Sequence, residues 1–188
     1  IEVKGPVNKD GTAIAGTVAK TDTAKVKVEE GSVTITSSGT GSYYIGEEIT
    51  LSGTCTESET VYLFMTGPNL NSNGVTLTEG KDLSTVVNND DSSFTDGGID
   101  VEADDTWSLD WNTAGLPLDA GSYTIYAAAE PQGRNNLSGV SYATASISLR
   151  SGFISATTSS ATVAKGDKLT ISGTAQGNPD DVYIWIFG

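Results

Sequence analysis

The 188-residue sequence predicts an all-β protein built from repeated sandwich domains, and three observations carry that expectation. Apolar residues alternate with period two along most of the chain, and no stretch sustains the i, i+3, i+4, i+7 spacing of an amphipathic helix. Gly, Asn, Asp and Pro interrupt the alternating runs at intervals of about 8–12 residues, the rhythm of sandwiches and barrels. A nine-residue block recurs after 120 residues with every Gly, Thr and Ser in place.

Taken in order, 24–28 (Ala-Lys-Val-Lys-Val), 33–36 (Val-Thr-Ile-Thr) and 49–52 (Ile-Thr-Leu-Ser) alternate cleanly. Val61–Met65 is continuously apolar, as expected of a strand buried on both faces. Trp107, Leu109 and Trp111 share one side of their strand, and 123–126 and 143–149 follow. Leu169–Ser172 alternates again, and Val182–Phe187 is a second continuous apolar run. β-Branched and aromatic residues fill all of these, as pleated surfaces favour.

The block at 46–54, Gly-Glu-Glu-Ile-Thr-Leu-Ser-Gly-Thr, recurs at 166–174 as Gly-Asp-Lys-Leu-Thr-Ile-Ser-Gly-Thr. Val61–Gly67 corresponds to Val182–Gly188 at an offset of 121, one residue having entered the loop that holds Asn178 and Pro179. Ala24–Val28 followed by Gly31 matches Ala145–Leu149 followed by Gly152 at the same offset of 121. The chain thus reads as a window on a tandem array, and its start at Ile1 with no signal peptide is expected of a processed product or of a window cut from a longer polypeptide. Residues 1–30 are expected to be the C-terminal strands of one repeat, 31–150 a complete repeat, and 151–188 the N-terminal strands of the next. A period near 120 suits an immunoglobulin-like Greek-key sandwich. Strands are expected at 32–37, 47–54, 60–66, 74–78, 84–87, 106–111, 121–129 and 140–149. The joints at 29–31 and 150–152 are short and lack proline, which should hold neighbouring repeats at restricted angles. Three strands cannot bury a core, so the run at 182–187 needs other strands over it, from a longer chain or another subunit.

Composition narrows the function. With no His and one Cys, the chain offers no Ser-His-Asp or Cys-His nucleophile, no imidazole metal ligand, no internal disulfide and no thiolate cluster. Ten Lys and Arg against 24 Asp and Glu give a formal charge of −14, which would repel nucleic acid and an anionic bilayer. No apolar run nears the roughly 18 residues of a membrane span. Residues 1–30 hold five Lys and five acids, so the whole −14 falls on 31–188. Lys25 and Lys27 could face an acidic neighbour or protect a sheet edge.

The stretch from Gly166 to Gly188, GDKLTISGTAQGNPDDVYIWIFG, resembles the opening of repeats in cell-surface proteins of methanogenic archaea, which are similar to surface-layer proteins with immunoglobulin-like modules. Residues 46–67 form a weaker copy, and WSLDWNTAGLPLDAGSYTIY at 107–126 is similar to a second signature of such modules, an aromatic strand leading to Leu-x-x-Gly-x-Tyr-x-Ile. The resemblance implies a secreted, self-assembling structural protein of the cell envelope, a homo-oligomer in a lattice or filament, often glycosylated and sometimes bound to divalent cations.

Residues 88–105 form the most acidic stretch. Asp90, Asp91, Asp96, Asp100, Asp104 and Asp105 are candidate Ca²⁺ ligands, with Glu102 among them and no basic residue near in sequence. Their spacing does not fit an EF-hand loop, and a solvated acidic hairpin is the competing reading. Asp180 and Asp181 form a smaller, solvated pair. Asn136-Leu137-Ser138 is the one N-glycosylation sequon and lies in a polar turn. Asp110 and Glu130 could be imagined as a glycosidase pair beside the tryptophans, but the alternation turns Trp107 and Trp111 to the core and Asp110 to solvent. Cys55, whose counterpart is Ala175, is expected to be a small packing residue. The expected role is therefore structural, not enzymatic. The rivals are an adhesin or carbohydrate-binding array, for which Tyr43, Tyr44 and Trp185 would be the exposed platform, and accessory repeats of an extracellular hydrolase.

Overall fold

A computed structural model describes residues 2–4, 21–23, 30–78, 83–177 and 179–187. The chain divides into two compact units, Ile1–Glu30 and Gly31–Gly188. In the first, β1 (Glu2–Lys4) pairs antiparallel with β2 (Thr21–Thr23). Residues 24–28, Lys25 and Lys27 included, lie outside the described residues.

The second unit is all-β, with helix limited to three 3-10 turns among the described residues. One sheet orders β3 (Thr36–Ser37), β5 (Glu48–Thr54) and β8 (Thr106–Asn112), all antiparallel. The other orders β4 (Ser42–Tyr44), β10 (Tyr142–Arg150), β9 (Gly121–Ala128), β6 (Thr60–Thr66) and β7 (Ile99–Asp100). Among the described strands only β4 runs parallel to its neighbour, β10. Period-two alternation turns Ile49, Leu51, Trp107 and Trp111 of the first sheet toward Leu63, Met65, Tyr123, Ile125, Ile147 and Leu149 of the second, and all of them share one buried core. The result is a sandwich-like pair of sheets.

The unbroken apolar run in β6 follows from a second cluster on the outer side of its sheet. Tyr62 and Phe64 point away from the main core and are covered by Phe94, Val86 and Leu137. Phe64 stacks on Tyr126 at 4.7 Å, and Phe94 meets Phe64 and Tyr62 edge-on at 5.9 and 5.5 Å. The long excursion between β6 and β8 is thus a packed cover. It also closes the free edge of β6: Met65 bridges to Val75, Val61 pairs with Ile99, and between them the Thr95 hydroxyl donates to the Leu63 carbonyl at 2.7 Å.

Several elements differ from expectation. Residues 74–78 and 84–87 form isolated bridges at Val75 and Thr85 in place of strands. Side-chain bonds interrupt the ladder there, since the Thr76 hydroxyl accepts from the Ser84 amide at 3.1 Å. The first expected strand is reduced to a bridge at Val33 and the two residues of β3, and the short strands β4 and β7 were not foreseen. Residues 182–187 carry no regular structure, contrary to the strand expected there. Their counterpart β6 is held by β9 and β7, and among the described residues nothing plays those parts for 182–187.

After β10 the chain forms a hairpin, β11 (Ile154–Thr158) with β12 (Ile171–Ala175). Its pairing repeats that of β3 and β5. Thr36 Oγ1 donates to the Ser52 carbonyl at 3.1 Å, and Thr157 Oγ1 to the Ser172 carbonyl at 3.2 Å. Thr34 and Thr54 hydroxyls meet at 2.8 Å, and those of Ser155 and Thr174 at 2.7 Å. The Thr50 amide donates to Ser38 Oγ and the Thr170 amide to Ser159 Oγ, both at 3.1 Å. The preceding turns are closed alike: the Tyr44 amide donates to the Glu47 carboxylate at 2.9 Å, and the Ala164 amide to the Asp167 carboxylate at 3.1 Å. A Cβ on Gly53 would collide with the Thr34 carbonyl, and one on Gly173 with the Ser155 carbonyl, so both positions need glycine for the same close approach. The hairpin meets the sandwich where the Phe153 ring lies edge-on to Tyr44 at 5.9 Å and the Arg150 guanidinium sits 4.6 Å above the same Tyr44 ring.

Candidate functional site

The acidic stretch is anchored by its apolar residues. Phe94 and Thr95 are buried, and the turns on either side of them, Asp91–Ser93 and Thr95–Gly97, hold their carboxylates in solvent. All six candidate aspartates are exposed, and three of them accept from a nearby hydroxyl. Asp90 accepts from Ser92 Oγ at 2.6 Å, Asp96 from Thr78 Oγ1 at 2.9 Å and Asp104 from Thr106 Oγ1 at 2.6 Å. The Thr106 hydroxyl and then its amide hold the Asp104 carboxyl below the usual carboxylate range. Asp91 lies beside Tyr62, whose phenol is pushed up first by burial and then by the Asp91 charge. Asp100 and Asp105 line a surface depression with Glu59 and Glu102. Among the described residues no three acidic or sulfur side chains come together closely enough to hold a metal ion. Among the described residues the six aspartates are thus not gathered into one group, and the acidity is spread along the excursion.

Asn136 ends an exposed 3-10 turn, Arg134–Asn136, that is pinned to the start of the acidic excursion by amides that composition did not single out. The Gly133 amide donates to Asn88 Oδ1 at 2.9 Å, Gln132 Nε2 to Asn89 Oδ1 at 2.7 Å, and the Asn135 amide to Asn73 Oδ1 at 3.2 Å. Asn136 Nδ2 itself donates to Gln132 Oε1 at 2.6 Å, and Leu137 beneath it is buried. The sequon is thus presented on a fixed turn. The adjacent asparagines Asn88 and Asn89 were a legible signal only as turn residues, because their partners lie more than forty positions away.

The imagined glycosidase pair is not brought together. Asp110 lies exposed on β8, where it accepts from Thr50 Oγ1 at 2.9 Å, and Glu130 follows β9 of the other sheet. Trp107 and Trp111 are core residues. Tyr43 is buried and donates its hydroxyl to the Ser38 carbonyl, Tyr44 is half-buried, and Trp185 is 71% exposed, so these three do not form one platform. Cys55 is buried in the core and paired by a bridge with Val33. Asp180 and Asp181 are exposed. No helix among the described residues is long and apolar enough to cross a membrane. A scan against protein-family models and a search of curated proteins both return no match for the chain.

Proposed function

We propose that the chain is a structural, non-enzymatic part of an extracellular surface protein, in which tandem immunoglobulin-like modules assemble into a surface lattice or rod. The observation that carries this reading is the duplicated hydrogen-bond register of β3–β5 and β11–β12, which extends the sequence repeat to individual side chains. Strand order adds support, since β3-β5-β8 facing β4-β10-β9-β6-β7 resembles the order of immunoglobulin-type sandwiches. The Tyr123 hydroxyl, which donates to the Asp119 carbonyl at 2.8 Å, has the form of the tyrosine corner of such folds. Surface threonines and serines tie strand to strand in both hairpins. The acidic surface keeps modules apart unless cations bridge them, and Asn136 is a glycan acceptor on a fixed turn. The test is antibody labelling of intact and permeabilised source cells, with electron microscopy of the purified protein in Ca²⁺ and in EDTA. Labelling of intact cells and ordered arrays that EDTA loosens are expected. Labelling that appears only after permeabilisation overturns the reading.

A further inference from the structure

Besides the contact of Phe153 with Tyr44, the β11–β12 hairpin touches the sandwich at a second place, and there the two meet backbone to backbone. The Gly177 turn after β12 lies against Ile45 and Gly46, in the turn between β4 and β5. A Cβ on Gly46 would fall on the Gly177 carbonyl, and one on Gly177 would crowd the Ile45 carbonyl. A Cβ on Gly152 would crowd the Gln176 carbonyl beside them. What stands opposite thus excludes a side chain at all three positions. The seat is fixed within the sandwich, because the Gly46 amide donates to the buried Thr113 Oγ1 at 2.8 Å and that hydroxyl donates in turn to the Glu47 carbonyl at 2.7 Å. Turn conformation alone does not account for the glycine. Gly46 and its repeat counterpart Gly166 both have positive φ, 104° and 99°, so a side chain strains the backbone equally at each. Only at Gly46 does a neighbour also stand in its way, since a Cβ on Gly166 would meet no described atom within 4 Å.

We propose that the joint at 150–152 is a lock and not a hinge: the Gly177 turn seats on Ile45 and Gly46 and fixes the angle at which one module follows the next. The proposal rests on reading 151–177 as the opening of a following module, and it names what sets the geometry of the array. The covalent connection is already short. The Ile45 amide donates to the Arg150 carbonyl at 2.9 Å and the Gln176 amide to the Phe153 carbonyl at 2.9 Å, so only Ser151 and Gly152 lie between the two pairings. Such a connection by itself would let the hairpin swivel, since a few loop residues can absorb a large change of backbone angle. A second contact, away from the connection, removes that freedom. Because it joins backbone to backbone, no rotamer can adjust to a new angle, and close packing is lost as soon as the angle changes. A fixed joint carries the orientation of each module into the next, which an ordered lattice or rod requires.

Double electron–electron resonance on the full chain, with spin labels on Ser108→Cys of β8 and Ser172→Cys of β12, reads the angle as a distance distribution. Both positions are exposed, and Cys55 is buried and stays unlabelled in the native chain. One narrow peak is the expected result. Gly152→Val and Gly46→Ala should each shift or widen it by at least about 8 Å, the reach of a freed two-residue connection, while Gly166→Ala leaves it in place. Near-ultraviolet circular dichroism of Trp107 and Trp111 should stay native in all three variants. Gly152 is not in the left-handed region and lies outside the sandwich, so Gly152→Val decides by itself if Gly46→Ala disturbs the core. A broad distribution in the doubly labelled chain without further changes overturns the proposal, because the joint would then be a hinge. A peak that Gly152→Val leaves unmoved overturns it as well. So does an equal change from Gly166→Ala, which would trace the effect to backbone strain and not to the contact. Labelling of intact cells does not depend on this angle, so the surface reading and the joint stand or fall separately.

Discussion

Trp107 and Trp111 sit two residues apart on β8 and are both buried, yet their indole N–H groups have different fates. Trp111 Nε1 donates to the Leu77 carbonyl at 2.9 Å, which fastens the cover segment to the core. Trp107 Nε1 is buried with no hydrogen-bond partner among the described residues. An unmade buried bond costs about 1–3 kcal/mol, so replacement by phenylalanine should separate the two positions. Trp111→Phe strands the Leu77 carbonyl and should cost about 1–3 kcal/mol more than Trp107→Phe, read from urea unfolding midpoints. Equal losses would show that the Leu77 bond adds nothing. The alternation Trp-Ser-Leu-Asp-Trp made the burial of both indoles legible in the sequence. Which of them finds an acceptor was not legible, because Leu77 lies 34 residues away and its approach depends on the cover.

At the level of elements, the acidic excursion has the largest consequence. Its sequence advertises seven carboxylates, but its structural work is done by Phe94 and Thr95 between them. Phe94→Ala would leave the outer faces of Tyr62 and Phe64 bare and should cost about 3–5 kcal/mol, as large-to-small aromatic changes in cores do. The measurement is the melting transition together with proteolysis of 83–98, which should become susceptible. A variant with unchanged stability would mean that the outer cluster is only loosely packed. The continuous apolar run Val61–Met65 announced burial on both sides of β6. It did not say what would supply the second layer, since a lone Phe in an acidic loop looks like an isolated surface aromatic. The run 182–187, with the same pattern, carries no regular structure, and among the described residues no strand pairs with it.

Across the whole molecule, pH acts through two phenols on neighbouring strands. Burial pushes Tyr123 up, as does the Asp119 charge, and burial with the Asp91 charge pushes Tyr62 up. Both keep their protons in the native state above the unfolded value of about 10. Their contribution to stability is therefore complete below that pH and falls away as pH rises through the native values. The melting temperature should decline above about pH 10, and Tyr62→Phe combined with Tyr123→Phe should flatten the decline. A double variant that loses stability as steeply as wild type would place the alkaline sensitivity elsewhere.

The sequence alone determined the all-β class, the 46–54 and 166–174 repeat, the core-facing tryptophans and the exposed sequon, because each is set by local alternation, turn chemistry or direct self-similarity. Tertiary structure decided the rest. It scattered the six aspartates, set Asp110 on one sheet and Glu130 beyond the end of a strand of the other, bound the Asn136 turn to Asn73, Asn88 and Asn89, and gave β6 its second cover. Those outcomes turn on which distant segments meet, and contact between segments tens of residues apart leaves no periodic trace in the residues that make it.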